Sequence, residues 1–213
     1  MLNFRDCTLV LLEEKFGLIP DSLAKSDTLH SWLDGQADIL DWEKLVLSKL
    51  QYKLILNVHD WNEAELMQNF IGPVFALVDY TTNKFNLFGE RKFGGMVDGI
   101  EMSGKPDGMI ASGFRLPEKP YFCFQEYKRF KDPEGDPAGQ CLAPMLVAQE
   151  INEHKHPIYG CHVIGNVWYF MVLEGKSYTI SMGHLATRED IFEIFCILKV
   201  LKEIITDLVG LES

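Results

Sequence analysis

Hydrophobic positions along the chain recur at two spacings, and the switch between them lays out the elements. Leu9, Leu11, Leu12 and Phe16 predict a short first helix that Gly17 and Pro20 end. A second helical stretch opens at Asp38, with Leu40, Leu45, Leu47 and Leu50. Periodicity leaves Tyr52 to Val58 open between strand and helix. From Asn62 to Tyr80 the residues Leu66, Met67, Phe70, Ile71, Val74, Phe75 and Leu77 fall at helical spacing. Asn62 is placed as N-cap with Glu65 three residues on, as in a capping box, and Pro73 is placed to bend the helix.

From Lys84 the texture changes to short runs of Phe, Tyr, Val and Ile, broken by Gly-Gly, Asp-Gly and Ser-Gly. This predicts a three-strand meander near 85–97, 106–112 and 120–129. A helix over 139–152 follows, then a hairpin of 163–173 and 178–182 across Glu174-Gly175. A long amphipathic helix over 188–211 closes the chain, with Ile191, Ile194, Phe195, Leu198, Leu201, Ile204 and Ile205 on its core face. The order predicts an α/β layer structure with a mixed sheet. It reads as one domain: helices over 1–60, a core over 61–182, and the C-terminal helix over 183–213.

Composition narrows the class. With 47% hydrophobic and 24% charged residues, the chain reads as globular. No basic stretch followed by an apolar block opens it, and its apolar runs are too short and too charged to span a bilayer. Its five cysteines form no CxxC pair. They read as buried thiols of a cytoplasmic protein with no membrane partner. The net charge of −11 argues against a polyanion spread over the whole surface. Residues 84–131 differ, with nine Lys and Arg against six acids, so +3 against −14 for the rest. Any nucleic-acid contact is therefore expected to be local.

The candidate chemistry lies in that segment. Asp107 follows Pro106 at a turn, and after eighteen further residues comes Glu126-Tyr127-Lys128. Alternation along a strand puts Phe122, Phe124, Glu126 and Lys128 on one face. A charged pair in the middle of an aromatic strand is costly unless it is used. Hard divalent cations such as Mg²⁺ prefer carboxylate and carbonyl oxygens. Two carboxylates beside an amine are the parts that phosphodiester cleavage needs. Other features are set aside: His154-Lys155-His156 as a solvated loop, Asp98-Gly99 as a strand-end turn, Gly94-Gly95 as lacking a phosphate-loop pattern, and Trp168-Tyr169-Phe170 as sheet core.

The Pro106-Asp107 pair and Glu126-Tyr127-Lys128 resemble the two half-motifs of the PD-(D/E)xK nuclease superfamily, over about residues 61–182. The resemblance implies a restriction-endonuclease-like core of helix, three-strand meander, helix and two strands, elaborated by the N-terminal helices and the long C-terminal helix. It implies Asp107, Glu126 and the carbonyl of Tyr127 as ligands of Mg²⁺ or Mn²⁺, and Lys128 as the catalytic lysine. An acid on the first core helix is common in the superfamily. Glu63, on the core-facing stripe, is preferred here to Glu65, beside the reading of both as acids favoured by the helix dipole. Some subfamilies carry a glutamine at the position of Gln140, with a tyrosine four residues on, where this chain has Pro144. The other reading of Gln140 is a helix-start residue bonding to backbone. The expected function is a Mg²⁺-dependent phosphodiesterase, a DNA endonuclease or DNA-processing nuclease. Its partner would be nucleic acid, DNA first, held through the basic segment, with a homodimer as an open expectation. The alternatives are an inactive domain of the same fold that binds or assembles, and an unrelated α/β interaction protein in which Glu126 and Lys128 are an ordinary ion pair.

Overall fold

A computed structural model describes residues 1–21, 26–131 and 133–211. Its main sheet runs β2 (Ile19–Pro20), β10 (Ser177–Ile180), β9 (Val167–Glu174), β8 (Ile158–Ile164), β7 (Glu118–Lys128), β6 (Gly108–Ser112), β3 (Phe85–Gly89), with β11 (His184–Leu185) paired to β9. The strand β7 is interior, antiparallel to β6 and parallel to β8, so the sheet is mixed. Pairing with β6 ends at Gln125, whereas pairing with β8 runs on through Lys128, so the last three residues of β7, Glu126 to Lys128, are held by β8 alone.

The two faces of the sheet build two cores. On one face pack α2 (Asp27–Leu33), α3 (Asp41–Asn57), the helix of α4 (Glu63–Leu66) and α5 (Gly72–Val78), and α7 (Asp190–Leu211), around Trp32, Phe70, Phe75, Trp168 and Phe195. On the other pack α1 (Leu9–Phe16), α6 (Pro137–Ile151) and a separate small sheet, around Phe4, Phe93, Met102, Phe124 and Leu142. That small sheet is β1 (Leu2–Asn3), β5 (Ile100–Gly104) and β4 (Phe93–Val97).

Several sequence expectations change. The strand expected over 85–97 is two strands in two sheets. The chain breaks at Glu90, which takes a positive φ of 48°, and β4 then turns at Asp98-Gly99, both at positive φ, to pair with β5. The closing hairpin is three strands, since β8 and β9 pair across Gly165 before β9 pairs with β10. Tyr52 to Asn57 belongs to α3, and α2 was not foreseen.

The predicted N-cap holds: Asn62 Oδ1 accepts the Glu65 N–H and Glu65 Oε2 accepts the Asn62 N–H, both at 2.9 Å. Pro73 is accommodated by a π-turn over Met67–Ile71. There the Gly72 N–H bonds Met67 O, so the helix widens just where proline supplies no donor.

Phe122 does not share the face of Phe124. A bulge between β6 and β7 shifts the register beside residues 121–123. Phe122 packs into the core of the α3 and α7 face, while Phe124 packs into the core of the α6 face. Beyond the bulge the alternation is regular, and Phe124, Glu126 and Lys128 stay together.

Candidate functional site

Asp107 ends the loop from β5 and leads into β6. Its Oδ2 accepts the backbone N–H of Tyr127 at 2.6 Å, which fixes the carboxylate against β7. Gly108, next along, lies opposite Gln125. A side chain at Gly108 would collide with Gln125 Oε1 as it stands and displace that amide. Gln125 Oε1 in turn accepts the Tyr127 hydroxyl, on the face away from Glu126.

Glu126 and Lys128 stand two residues apart on β7, and Lys128 Nζ donates to Glu126 Oε1 at 2.6 Å. Both side chains are nearly covered, at 11% and 12% exposure, so this pair is far drier than a surface salt bridge. A cavity of about 470 Å³ opens on it, lined among others by Glu63, Asp107, Glu126, Lys128 and Gln140. A second cavity of about 640 Å³ shares Glu63 and Asp107 with it and is lined also by Met67, Gln68, Glu90 and Tyr127.

The electrostatics of the cluster are those of crowded acids with one cation. Burial, then the charge of Asp107, push the Glu126 carboxyl up to about 7, against the lowering effect of Lys128. Burial also raises Asp107, opposed by the Tyr127 N–H and Lys128 and assisted by Glu63 and Glu90. Burial works against the charge on Lys128, but the hydrogen bond and charge of Glu126, with Glu63 and Asp107 behind it, leave its pKa raised. Lys128 therefore stays protonated at neutral pH.

Glu63 reaches the cluster from the first turn of α4 and lines both cavities. It is exposed at their rim, not on the buried stripe that its spacing suggested. Glu65 is spent on the capping box. Gln140 sits in the first turns of α6, where its Nε2 donates to Arg5 O at 2.7 Å. Its Oε1 is buried with no partner among the described residues. Tyr127 contributes backbone to the site while its ring packs with Phe75 on the opposite face, centroids 6.4 Å apart.

Sequence reasoning missed the wall supplied by the N-terminus. Asn3, Phe4, Arg5 and Asp6 line the cavity of Glu126 and Lys128, with Lys105 and Glu134. Only the fold brings residues 3–6 to β5, through pairing of Leu2 with Met102 and Asn3 with Ser103. Asp136 locks this region by capping two helices, accepting the Gly139 N–H at 3.1 Å and the Leu9 N–H at 2.8 Å.

His154 and His156 stay outside the cluster. His154 pairs with Glu150, and His156 bonds Asn152 and Pro157 O. Trp168 and Phe170 are core, as expected.

No protein-family model matches the chain, and a comparison with curated proteins gives no match either. Among the described residues no group of three His, Cys, Asp or Glu side chains forms a ready metal cage, and no helix is long and apolar enough to cross a membrane. The groups that converge are the buried carboxylate of Glu126, the half-buried carboxylate of Asp107, whose charge raises the pKa of Glu126, a third acid at the rim and one lysine. Carboxylate oxygens are the ligand type that hard divalent cations prefer.

Proposed function

We propose that this chain is a metal-dependent phosphodiesterase acting on nucleic acid, DNA first, with a restriction-endonuclease-like core. The observation that carries this reading is the buried Glu126–Lys128 pair on an interior strand, beside Asp107 and open to a cavity. Burying such a pair costs several kcal/mol per ion before the mutual attraction is counted, about what a structural role would avoid and a functional site tolerates. The helix, meander, helix and strand order around it supports the fold assignment.

In this reading Asp107, Glu126 and the carbonyl of Tyr127 hold the cation. A divalent ion bound there would supply water activation and neutralise charge on the phosphate. Lys128, protonated because of its acid neighbours, acts as a donor and not as a base: it holds a non-bridging phosphate oxygen as negative charge develops there. Glu63, outside the ligand pair, raises the negative field that keeps Lys128 charged. Gln140, whose Nε2 donates to Arg5 O, fixes the N-terminal wall of the cavity.

The test is cleavage of DNA and RNA by purified protein with Mg²⁺ or Mn²⁺. Cleavage should stop in chelator, and Lys128→Ala should lower it by about a hundredfold or more. Unchanged activity in Lys128→Ala would overturn the assignment. A folded protein that binds Mn²⁺ at Asp107 and Glu126 but cleaves nothing would favour the inactive binding domain.

A further inference from the structure

A third groove, of about 670 Å³, adjoins the site. It is lined by Asn3, Arg5, Lys92, Phe93, Gly94, Ser103, Gly104 and Lys105. Three of these, Asn3, Arg5 and Lys105, also line the cavity of Glu126 and Lys128, so the two spaces share a wall. Its floor is nearly bare backbone, since Gly94 pairs with Ser103 across β4 and β5. Gly104 lets Phe4 approach so closely that a Cβ there would lie 2.6 Å from the Phe4 ring. Arg5, next to Phe4, and Lys105, next to Gly104, both line the groove.

The charge of the groove is opposite to that of the chain. Its three ionisable side chains, Arg5, Lys92 and Lys105, are all cationic and all exposed, in a protein of net charge −11. Arg5 is engaged by Glu134 at 3.5 Å, but both side chains are largely exposed, and such a pair exchanges readily for a stronger anion. The cavity lined by Asp107 and Tyr127 instead presents Glu63 and Glu90 and is lined by no cation among the described residues. The groove and that cavity thus carry opposite charge.

We infer that the Arg5–Lys92–Lys105 groove seats the phosphodiester backbone of the nucleic acid on one side of the scissile bond. This rests on the phosphodiesterase reading for its purpose, but not for its measurement. Arg5 and Lys92 come from elements far apart in sequence. The N-terminal strand and the β4–β5 hairpin, outside the strands that carry the catalytic residues, thereby act as the substrate-binding arm. Non-sequence-specific contact of this kind is electrostatic and releases counterions.

The experiment measures binding of a fluorescent single-stranded DNA over a range of salt, in chelator so that no cleavage occurs. It compares wild type, a triple variant Arg5→Ala/Lys92→Ala/Lys105→Ala, the single charge reversal Lys92→Glu, and a control triple Lys44→Ala/Lys49→Ala/Lys53→Ala on α3. The groove triple should bind at least about tenfold more weakly, and its log–log salt slope should fall by about two, as for three lost phosphate contacts. Lys92→Glu should weaken binding on its own, and the control should match wild type. Equal losses in the control, wild-type binding by the groove triple, or equal affinity for a methylphosphonate strand would overturn the inference. So would displacement of the DNA by polyglutamate at equal charge concentration, which would mark a seat for acidic polypeptide. DNA bound through the groove by a wild-type protein that never cleaves leaves the groove standing and removes the catalytic reading. Cleavage that survives the groove triple with unchanged DNA binding does the reverse.

Discussion

The carboxylate of Asp107 accepts the backbone N–H of Tyr127 at 2.6 Å, so the acid that precedes β6 is latched to β7 between Glu126 and Lys128. The latch joins the two half-motifs across eighteen residues of chain. It also separates two roles of one side chain, as hydrogen-bond acceptor and as charge.

Asp107→Asn keeps an acceptor for the Tyr127 N–H but removes the charge. Its stability should stay close to wild type while metal-dependent cleavage falls by about a hundredfold or more. Asp107→Ala should lose the same activity and, in addition, about 1–3 kcal/mol of stability from the orphaned N–H. Urea unfolding of the two variants beside wild type distinguishes them, and equal stabilities would show that the latch contributes nothing.

Glu126 should cost the fold stability above acid pH. Its folded pKa, about 7, lies above its ordinary 4.5, so the folded state resists ionisation. The penalty is absent below pH 4.5, grows as pH rises, and is complete above 7. Glu126→Gln should therefore gain about 1–3 kcal/mol over wild type on the alkaline side, with little gain in acid, while losing activity. A stability difference that does not vary with pH would contradict the cause assigned to the shift.

His162 works in the opposite direction. It lies beside Glu126 in the β7–β8 register, stacks on Tyr169 with centroids 4.7 Å apart, and its Nδ1 has no partner among the described residues. Burial, partly countered by Asp136, lowers its pKa from 6.5 to about 4. The unfolded chain then takes up a proton before the folded one does, so stability is lost as pH falls from 6.5 towards 4. In His162→Phe, which keeps a stacking ring, this contribution should vanish, flattening the acid limb by up to about 3 kcal/mol. Parallel acid limbs for the two proteins would rule it out.

Glu63 and Glu65 offer a matched pair on one helical turn. Glu65→Ala should cost about 1 kcal/mol through the capping box and leave cleavage unaltered. Glu63→Ala should leave thermal stability alone and lower activity, since its charge falls on Asp107, Glu126 and Lys128. Exchanged outcomes would move the functional acid to Glu65.

The parts legible in the sequence were those set by local rules. The stripe on α7 was readable because Ile191, Ile194, Phe195, Leu198, Leu201 and Ile205 recur at helical spacing and are all buried. The α3 segment was ambiguous because Tyr52, Ile55 and Leu56 are exposed, so its apolar residues do not mark one face. Glu126 and Lys128 were placed on one face by strand alternation, which held from Phe124 onward and failed at Phe122, where a bulge gives no local sign. The insertion of β4 and β5 was missed although Asp98-Gly99 was read as a turn. The charges of Glu90, Arg91 and Lys92, which interrupt the apolar run, were the available signal. The wall of Asn3 to Asp6 had none, since it depends on a parallel pairing across about a hundred residues.

That wall bears on how the protein is handled at the bench. With Leu2 and Asn3 bound into a sheet and Arg5 at the mouth of both spaces, anything fused ahead of Met1 leaves the molecule next to the groove. An affinity tag or cleavage scar there would crowd the entrance, and an oligohistidine stretch would bring metal-binding imidazoles to the very place where metal dependence is to be measured.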